Sequence, residues 1–353
     1  MRAALPLLFA LATLPALAAG ASPSRDAVQQ AEDNAARVYE SAVPSVVQID
    51  ARWTQKAEEI DPNLAKLLGK QANESEPQHI IGSGVVWDDA GHVVTMAEVA
   101  VRGGTFSVTL ADGSHRTAKV LGSDPTLDIS VLQLEGPVHD LHPIAAGTSR
   151  GLRVGQHIYV IGSPYGLTNM LSEGLLGGIS RHMAQNGHAA LVLGADVNPG
   201  NAGGPVLDSS GRVIGLVTGN YGSGRSPGFA MGLPIDDIAS VVPRLIADGR
   251  IDHPRLGIQV DDGPVVADLP AGLPEGVRVA DVDPGGAAER AGVRARDGDA
   301  IDVITAIDSV AIASFADLRK QLDKHRTGDH ATLTIWRSGQ TRVVPITLQP
   351  TAR

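Results

Sequence analysis

The residues with the clearest chemical meaning lie in one short glycine-rich run. Residues 198–205 read Asn-Pro-Gly-Asn-Ala-Gly-Gly-Pro, and the glycines leave the backbone free to adopt tight turns. The methyl group of Ala202, at the centre of the run, cannot attack a carbonyl carbon. The chain has no cysteine, so thiol chemistry and disulfides are excluded. If this run belongs to an active site, its nucleophile is missing.

The run resembles the nucleophile loop of the HtrA/Deg family of trypsin-like serine proteases, which reads Asn-Pro-Gly-Asn-Ser-Gly-Gly-Pro. Ala202 stands where that family has its serine. Upstream, residues 95–99 read Thr-Met-Ala-Glu-Val and are similar to the family's Thr-Asn-x-His-Val segment, so Glu98 stands at the place of the general base. Asp128 matches the orienting aspartate. With two triad members replaced, the resemblance identifies the chain as a pseudoprotease.

The resemblance implies that the backbone of the loop keeps its role although the side chains have changed. In the family, the oxyanion of the reaction intermediate is bound by backbone N–H groups, which correspond here to those of Gly200 and Ala202. A side-chain substitution does not delete a backbone donor. The oxyanion hole is therefore expected to outlast the chemistry it served.

The resemblance also implies that the carboxylates of Glu98 and Asp128 lie within a few ångströms of each other. Like charges at that distance raise one of the two pKa values, and a shared proton or a bound cation would relieve the repulsion. The alternative is a rotated or protonated Glu98 without a role. Two carboxylates alone are a thin ligand set, so no metal site is predicted, and no cofactor motif is present. The nearest histidine, His92, precedes a strand and is expected to face solvent.

The first residues have the pattern of a secretory signal peptide. Residues 1–18 contain a basic start, a short apolar run and an Ala-x-Ala cleavage pattern, with an alternative cut near Ala21. No other segment approaches the ~20 apolar residues that a membrane span requires. The formal net charge of −10 disfavours nucleic acid and anionic membranes as partners. These features predict a periplasmic protein without a stable membrane span.

Short apolar runs separated by turn signals indicate a mainly β chain. Residues 19–39 form an N-terminal arm that is either a helix or a disordered tail, and residues 40–233 form an all-β domain interrupted by a long loop at 52–80. That this domain is a chymotrypsin/trypsin-like double β-barrel follows from the resemblance. Strands are predicted at 43–49, 84–87, 92–95, 106–110, 129–134, 157–162, 191–193 and 212–217.

The last third of the chain has helical spacing and then a mixed pattern. Residues 234–253 form a helical linker that Pro243 should kink or restart. Residues 254–350 resemble the α+β PDZ domain that follows the protease domain in this family. In this part we predict strand 277–282, a short helix after Asp283, a capping box that opens a helix at Phe315, and a hairpin across Ser338.

The PDZ resemblance implies a peptide-binding site. The loop Arg255-Leu256-Gly257-Ile258 offers consecutive backbone N–H groups to a C-terminal carboxylate, and the strand after it offers an edge to an added peptide strand. Leu318 and Leu322, on the helix from Phe315, are predicted to form the apolar wall of the groove. The alternative is a PDZ fold used only for packing against the barrels.

Three functional hypotheses follow. The first is a periplasmic pseudoprotease that binds exposed peptides or C-termini of proteins in quality control, as a chaperone, sensor or adaptor. The second is a regulatory subunit of an active HtrA paralogue, because the family assembles as trimers. The chain then forms either a homotrimer or a hetero-oligomer with that paralogue. The third is a serine-type endopeptidase, which Glu98 and Ala202 contradict.

Overall fold

The computed structural model describes residues 25–55, 76–100, 104–137, 139–180, 189–221, 229–261, 272–298 and 300–350. Two closed six-stranded barrels are followed by a separate sheet with two short helices. The prediction of a mainly β chain, with a double barrel and then an α+β domain, is confirmed. Among these residues no helix has the length and apolarity needed to cross a bilayer.

The first barrel has the strand order β1-β2-β3-β6-β5-β4. Its core contains large, fully buried side chains such as Ile49, Met96, Ile129 and Leu132. The strands are β1 Val46–Gln55, β2 Glu76–Val86, β3 His92–Met96, β4 Thr105–Thr109, β5 His115–Asp124 and β6 Ile129–Leu134.

The second barrel repeats this architecture with the order β10-β11-β12-β9-β8-β7. Its interior is filled by side chains such as Ile158, Leu176 and Ile214. The strands are β7 His157–Gly162, β8 Met170–Ser180, β9 Ala190–Leu193, β10 Pro205–Leu207, β11 Val213–Tyr221 and β12 Phe229–Pro234.

Four of these strands, β5, β8, β10 and β12, were not predicted from the sequence. β5 and β8 expose one face to solvent, so many of their residues are polar or glycine and no apolar run marks them. The predicted loop 52–80 is wrong at both ends, where β1 runs to Gln55 and β2 begins at Glu76. Its centre, with the short helical pattern at 64–68, lies outside the described residues.

The part of the N-terminal arm that the structure describes, from residue 25 onward, forms a helix, α1 Arg25–Ala42. Val38 and Ala42 are 1% and 2% exposed and belong to the core of the first barrel. The Tyr39 hydroxyl donates to the carbonyl of Asn169 at 3.0 Å. The predicted boundary between residues 39 and 40 therefore falls inside a helix that is packed on the barrels.

The helix after the second barrel, α3 Ile235–Asp248, runs through Pro243 without a break, which corrects the predicted restart. Its buried face, which includes Val242 and Leu245, packs into the barrel core and holds the chain in a helical path despite the lost hydrogen bond at the proline. Gly249 ends the helix at φ 74° and donates to the Leu245 carbonyl. α3 is thus an integral part of the barrel domain.

The C-terminal domain is a sheet in the order β13-β14-β15-β17-β18. The predicted capping box is confirmed, because Ser314 and Asp317 bond reciprocally at the start of α5, and the strand at 277–282, the short helix and the hairpin are confirmed as well. The elements are β13 Ile258–Val260, β14 Val277–Val282, α4 Ala287–Arg290, β15 Val303–Ile307, β16 Val310–Ala311, α5 Phe315–Leu322, β17 His330–Arg337 and β18 Gln340–Thr347.

A buried carboxylate, Asp302, joins three parts of this domain. Its side chain is 0% exposed, with Oδ1 2.9 Å from Nη1 of Arg337 and Oδ2 3.0 Å from Nη2 of Arg342. Oδ2 also accepts the backbone N–H of Arg294 at 2.9 Å. Asp302 thus ties the turn before β15 to the hairpin of β17 and β18.

Candidate functional site

The positions of Glu98 and Asp128 are set by the pairing of β3 with β6. Met96 and Ile129 are partners in this ladder, so the short helix after β3 (α2, Ala97–Ala100) lies beside the turn before β6. The N–H of Ala97 donates to the main-chain oxygen of Asp128 at 2.9 Å. The N–H of Glu98 donates to Oδ1 of Asp128 at 3.1 Å. The two triad positions are therefore adjacent, as the resemblance implied.

The predicted repulsion between these two carboxylates is not what shifts Asp128. Burial raises the pKa of Asp128, and the hydrogen bonds from the N–H groups of Glu98 and Ala97 partly oppose it. The Glu98 side chain is exposed. Asp128 adopts φ 58°, a left-handed conformation that aspartate tolerates better than most residues. The structure thus keeps the orienting aspartate in a turn built around it.

The glycine-rich loop 198–205 is held mainly through its carbonyl groups. Ser83 of β2 donates twice, from Oγ to the carbonyl of Gly200 at 2.7 Å and from N–H to the carbonyl of Ala202 at 2.8 Å. The N–H of Tyr165 donates to the carbonyl of Pro199 at 2.9 Å. The loop is therefore fixed to β2 and to the turn after β7, in addition to the hydrogen bonds that it makes within itself.

The two N–H groups of interest on this loop, those of Gly200 and Ala202, are available. Within the described residues, neither the N–H of Gly200 nor that of Ala202 donates to an acceptor. Gly200 has φ 106°, which a residue with a side chain would rarely adopt. Two available donors on a glycine-rich loop are what an oxyanion site requires.

Sequence reasoning missed the residues that support this loop. Ser83 and Thr95 are fully buried, and Thr95 Oγ1 donates to the carbonyl of Ser83 at 2.7 Å. Gly203 passes so close that a Cβ there would lie 2.1 Å from the Ser83 carbonyl. The signal available in the sequence was a serine between two glycines, at 82–84, with apolar pairs on either side at 80–81 and 85–86.

The prediction that His92 faces solvent is wrong. Its side chain is 12% exposed, and Nδ1 lies 2.6 Å from Oδ2 of Asp88 within the same hairpin. This histidine is therefore paired within its own hairpin. Among the described residues, no group of three or more histidine and acidic side chains is placed to hold a metal ion.

The loop at residues 255–258 resembles the glycine-rich loop 198–205, because its carbonyl groups accept hydrogen bonds while two of its N–H groups donate none in the part of the chain that the structure describes. The carbonyl of Leu256 accepts from the N–H of Ala288 at 2.8 Å, and that of Gly257 accepts from the N–H of Asp283 at 3.0 Å. The N–H groups of Leu256 and Gly257 donate to no acceptor within the described residues. Arg255 pairs with Asp283 at 3.1 Å. A pair of available N–H groups thus precedes β13, which is an edge strand of its sheet.

The predicted apolar wall of this site is wrong. Leu256, Leu318 and Leu322 are 2%, 1% and 3% exposed and lie in the core of the domain. Leu318 and Leu322, one helical turn apart, face the sheet because α5 has only one apolar side to bury. The apolar side chains at the rim that keep partial exposure are those of Ile258, Val260 and Phe315.

Comparisons with known proteins agree with both halves of this description. The trypsin-like peptidase domain matches residues 82–216, and the PDZ domain matches residues 254–348. Protease Do-like 5 of Arabidopsis thaliana, a chloroplastic protein, is 36% identical over 236 residues, which cover 62% of this chain and 71% of that protein. Protease Do-like 1 of the same plant is 36% identical over 281 residues, which cover 76% and 63%.

Bacterial relatives give the same result. A probable periplasmic serine endoprotease of Brucella suis, DegP-like, is 32% identical over 288 residues, which cover 79% of this chain and 55% of that protein. The chain spans 55% to 63% of the length of the first curated relatives it matches. The solved structure of the HtrA-type protease AlgW with a decapeptide is 25% identical, with a TM-score of 0.71 over 90% of this chain and 99% of that chain. With its paired barrels, its glycine-rich loop and its C-terminal sheet, this chain belongs to the HtrA/Deg family, and it carries a trypsin-like peptidase domain followed by a PDZ domain.

Proposed function

We propose that this chain is a pseudoprotease that binds exposed peptides or C-termini of periplasmic proteins in quality control. The observation that carries the proposal is Ala202, a residue without a nucleophilic atom, at the centre of a loop that is otherwise intact. Glu98 adds the loss of the general base, and a triad that lacks these two members cannot form an acyl-enzyme. The relatives are named as proteases; the proposal separates this chain from them at these two positions.

The wild-type chain is expected to show no serine-protease activity. Incubation of the purified protein with unfolded casein should release no peptides above background, because the residues that perform nucleophilic attack and proton transfer are absent. A serine-directed phosphonate should leave the protein unmodified at position 202, as read by mass spectrometry of the intact chain. Turnover that the phosphonate abolishes would overturn the proposal.

Peptide binding is the part of the family's function that these residues still support. The N–H groups of Leu256 and Gly257, together with the edge of β13, provide an anion contact and a strand for β-addition. AlgW was solved with a decapeptide and with a tripeptide. We extend peptide binding from that protein to this chain, with Ile258, Val260 and Phe315 as the apolar contacts in place of Leu318 and Leu322.

Peptides with a free C-terminal carboxylate are expected to bind at least ten-fold more tightly than their amidated forms. The reason is that a hydrogen bond to a charged acceptor is worth ~1.5–3 kcal/mol, and amidation removes that charge. Matched acid and amide peptides with an apolar last residue would be titrated into the full-length protein by calorimetry. Equal affinities would mean that the PDZ fold serves only for packing.

A second candidate role is a subunit of an oligomer with an active paralogue. The observation that favours it is a group of exposed apolar side chains between β7 and β8, where Tyr165, Leu167 and Met170 are 70%, 60% and 46% exposed. Apolar side chains clustered at a surface mark contact sites for other proteins. Co-purification from the native cell distinguishes a homotrimer from a hetero-oligomer.

We also propose that the chain acts in the periplasm. The support is the signal-peptide pattern of residues 1–18, which lie outside the described residues, and the name of the Brucella suis relative, a probable periplasmic endoprotease. Detection of a mature chain that begins near residue 19 or 22 in a periplasmic extract tests this localisation.

A further inference from the structure

A group of ionisable side chains lies where the barrels, the linker and the PDZ domain meet. We define the interdomain cluster as Asp124, Asp237, His253, Arg319 and Asp323. His253 is 6% exposed, and its Nε2 lies 2.7 Å from Oδ2 of Asp124. Its Nδ1 lies 3.6 Å from Oδ1 of Asp323. One imidazole therefore contacts carboxylates from two domains.

On the barrel side, Asp124 connects the cluster to the turn that carries Asp128. Asp124 ends β5, is fully buried, and accepts the N–H groups of Thr126 and Leu127 on Oδ1 at 3.0 and 3.4 Å. β5 lies close to the end of α3, as Gly122 shows: a Cβ added to this residue would lie 2.5 Å from the carbonyl oxygen of Leu245. His253 thus binds to a part of the barrel that the backbone already holds rigid.

On the PDZ side, the cluster is formed by α5. Arg319 is 8% exposed, and its Nε lies 3.2 Å from Oδ1 of Asp323. Nε and Nη2 of Arg319 are nevertheless buried without a hydrogen bond to the described residues. Buried charged donors without full hydrogen bonding weaken the arrangement that buries them. The docked arrangement therefore buries two guanidinium nitrogens without the hydrogen bonds that would offset their desolvation.

The charge of the cluster depends on protons. Three carboxylates face one guanidinium and one imidazole, so the cluster is negative when His253 is neutral, and both His253 and one carboxyl group must be protonated to neutralise it. Burial lowers the pKa of His253, but the hydrogen bonds with Asp124 and Asp323 outweigh it and leave that pKa raised; Arg319 opposes them. Burial, with the charges of Asp236 and Asp323, raises the pKa of Asp237 to about 6.

We infer that the interdomain cluster is a proton-operated latch, which holds the PDZ domain against the barrels when it is protonated and releases it when it loses its protons. The contact that would open is that of His253 with Asp323, the residue after α5, and opening would also separate Asp237 from the charge of Asp323. The exposed pair Arg250–Asp252, 3.8 Å apart on the same linker, lies outside the latch.

Deprotonation of His253 and deprotonation of Asp237 both weaken the docking of the PDZ domain. A group with a raised pKa in the docked state binds more protons there than in the undocked state, so docking weakens as the pH rises. The contribution of Asp237 is lost between its ordinary value of 3.8 and about 6. The part of the raised pKa of His253 that comes from Asp323 belongs to the docked state, and its contribution to docking is lost as the pH rises through that raised value. Docking is therefore strongest at acidic pH and weakest above neutrality.

The test is a distance measurement in the full chain and needs no peptide ligand. Because the chain has no cysteine, a Ser209→Cys/Thr341→Cys variant places one dye on the exposed β10–β11 turn and one on exposed β18. Single-molecule energy transfer is expected to show one docked population at pH 5.5 and at least a three-fold lower docked fraction at pH 8.5. An unchanged docked fraction between these pH values would overturn the inference.

Two variants separate the groups. His253→Gln should make the docked fraction independent of pH between 6.5 and 8.5, and Asp237→Asn should remove the change between pH 5 and 6. Asp252→Asn, in the neighbouring exposed pair, should behave like the wild type. If His253→Gln and Asp237→Asn both retain the wild-type pH dependence, the latch does not exist. Should His253→Gln fail to fold, Asp237→Asn and the wild-type titration still decide the matter.

Discussion

The double variant Glu98→His/Ala202→Ser is expected to hydrolyse unfolded casein at a rate about 10³-fold above either single variant, since general-base catalysis alone contributes 10²–10⁴-fold. The parts that a triad needs besides these two side chains are in place. Asp128 lies beside position 98 and is held by the N–H groups of Ala97 and Glu98. The N–H groups of Gly200 and Ala202 have no acceptor within the described residues.

Each single variant should remain near background, because triad members act as a unit. Ala202→Ser alone provides a hydroxyl whose neighbour Glu98 is a weak base with an exposed side chain. Glu98→His alone provides a base without a nucleophile. Hydrolysis by the double variant should require the ionised form of Asp128, whose pKa burial raises, and should therefore fall at acidic pH.

A triple variant that adds Asp128→Asn is the matched control, since it keeps the fold of the turn and removes the orienting charge. It should lose most of the gained activity. A folded double variant without activity, with unchanged far-ultraviolet dichroism and thermal midpoint, would show that the N–H groups of the loop are not aimed at a substrate carbonyl. The loss of function would then extend beyond two side chains.

What the sequence allowed us to predict depended on how local the signal was. The glycine-rich loop and the capping box at Ser314 are each determined by neighbouring residues, and the structure agrees with the capping box. Strands such as β5 and β8 expose one face, so tertiary pairing and not local composition places them. The role of Ser83 was not predictable, because its partner Gly200 is 117 residues away in the chain.

The site residues show the same division. The adjacency of Glu98 and Asp128 came from the resemblance, but burial and not the second carboxylate raises the pKa of Asp128. Leu318 and Leu322 were placed in a groove because their helical spacing marks an apolar face. The two residues do share one apolar face of the helix, but that face packs into the core of the domain. Periodicity identifies which residues share a side of a helix, while only packing determines what that side contacts.

Loss of the buried carboxylate of Asp302 is expected to be the most damaging single substitution in the PDZ domain. Asp302→Ala removes the shared partner of Arg337 and Arg342 and an acceptor of the Arg294 N–H. Breaking a buried ion pair from one side costs about 3–5 kcal/mol, because the remaining charge stays buried without compensation. The Arg342 side chain is 38% exposed and can regain water, so a loss near the lower end is expected.

Denaturant-dependent hydrogen exchange at β17 and β18 measures this loss of stability, because each strand carries one of the two arginines, Arg337 and Arg342, that Asp302 binds. Asp302→Asn, which keeps an acceptor of similar shape, should recover part of the stability, and the difference between the two variants gives the contribution of the charge. Glu275→Gln, a change at an exposed position of the same domain, should stay within about 0.5 kcal/mol of the wild type. If Asp302→Ala lowers the free energy of unfolding no more than that control, the two guanidinium groups find water or other acceptors. The turn before β15 is then held by the packing of Ile301 and Val303. Exchange in the barrel strands should not change with any of the three variants, because none of these side chains contacts the interdomain cluster.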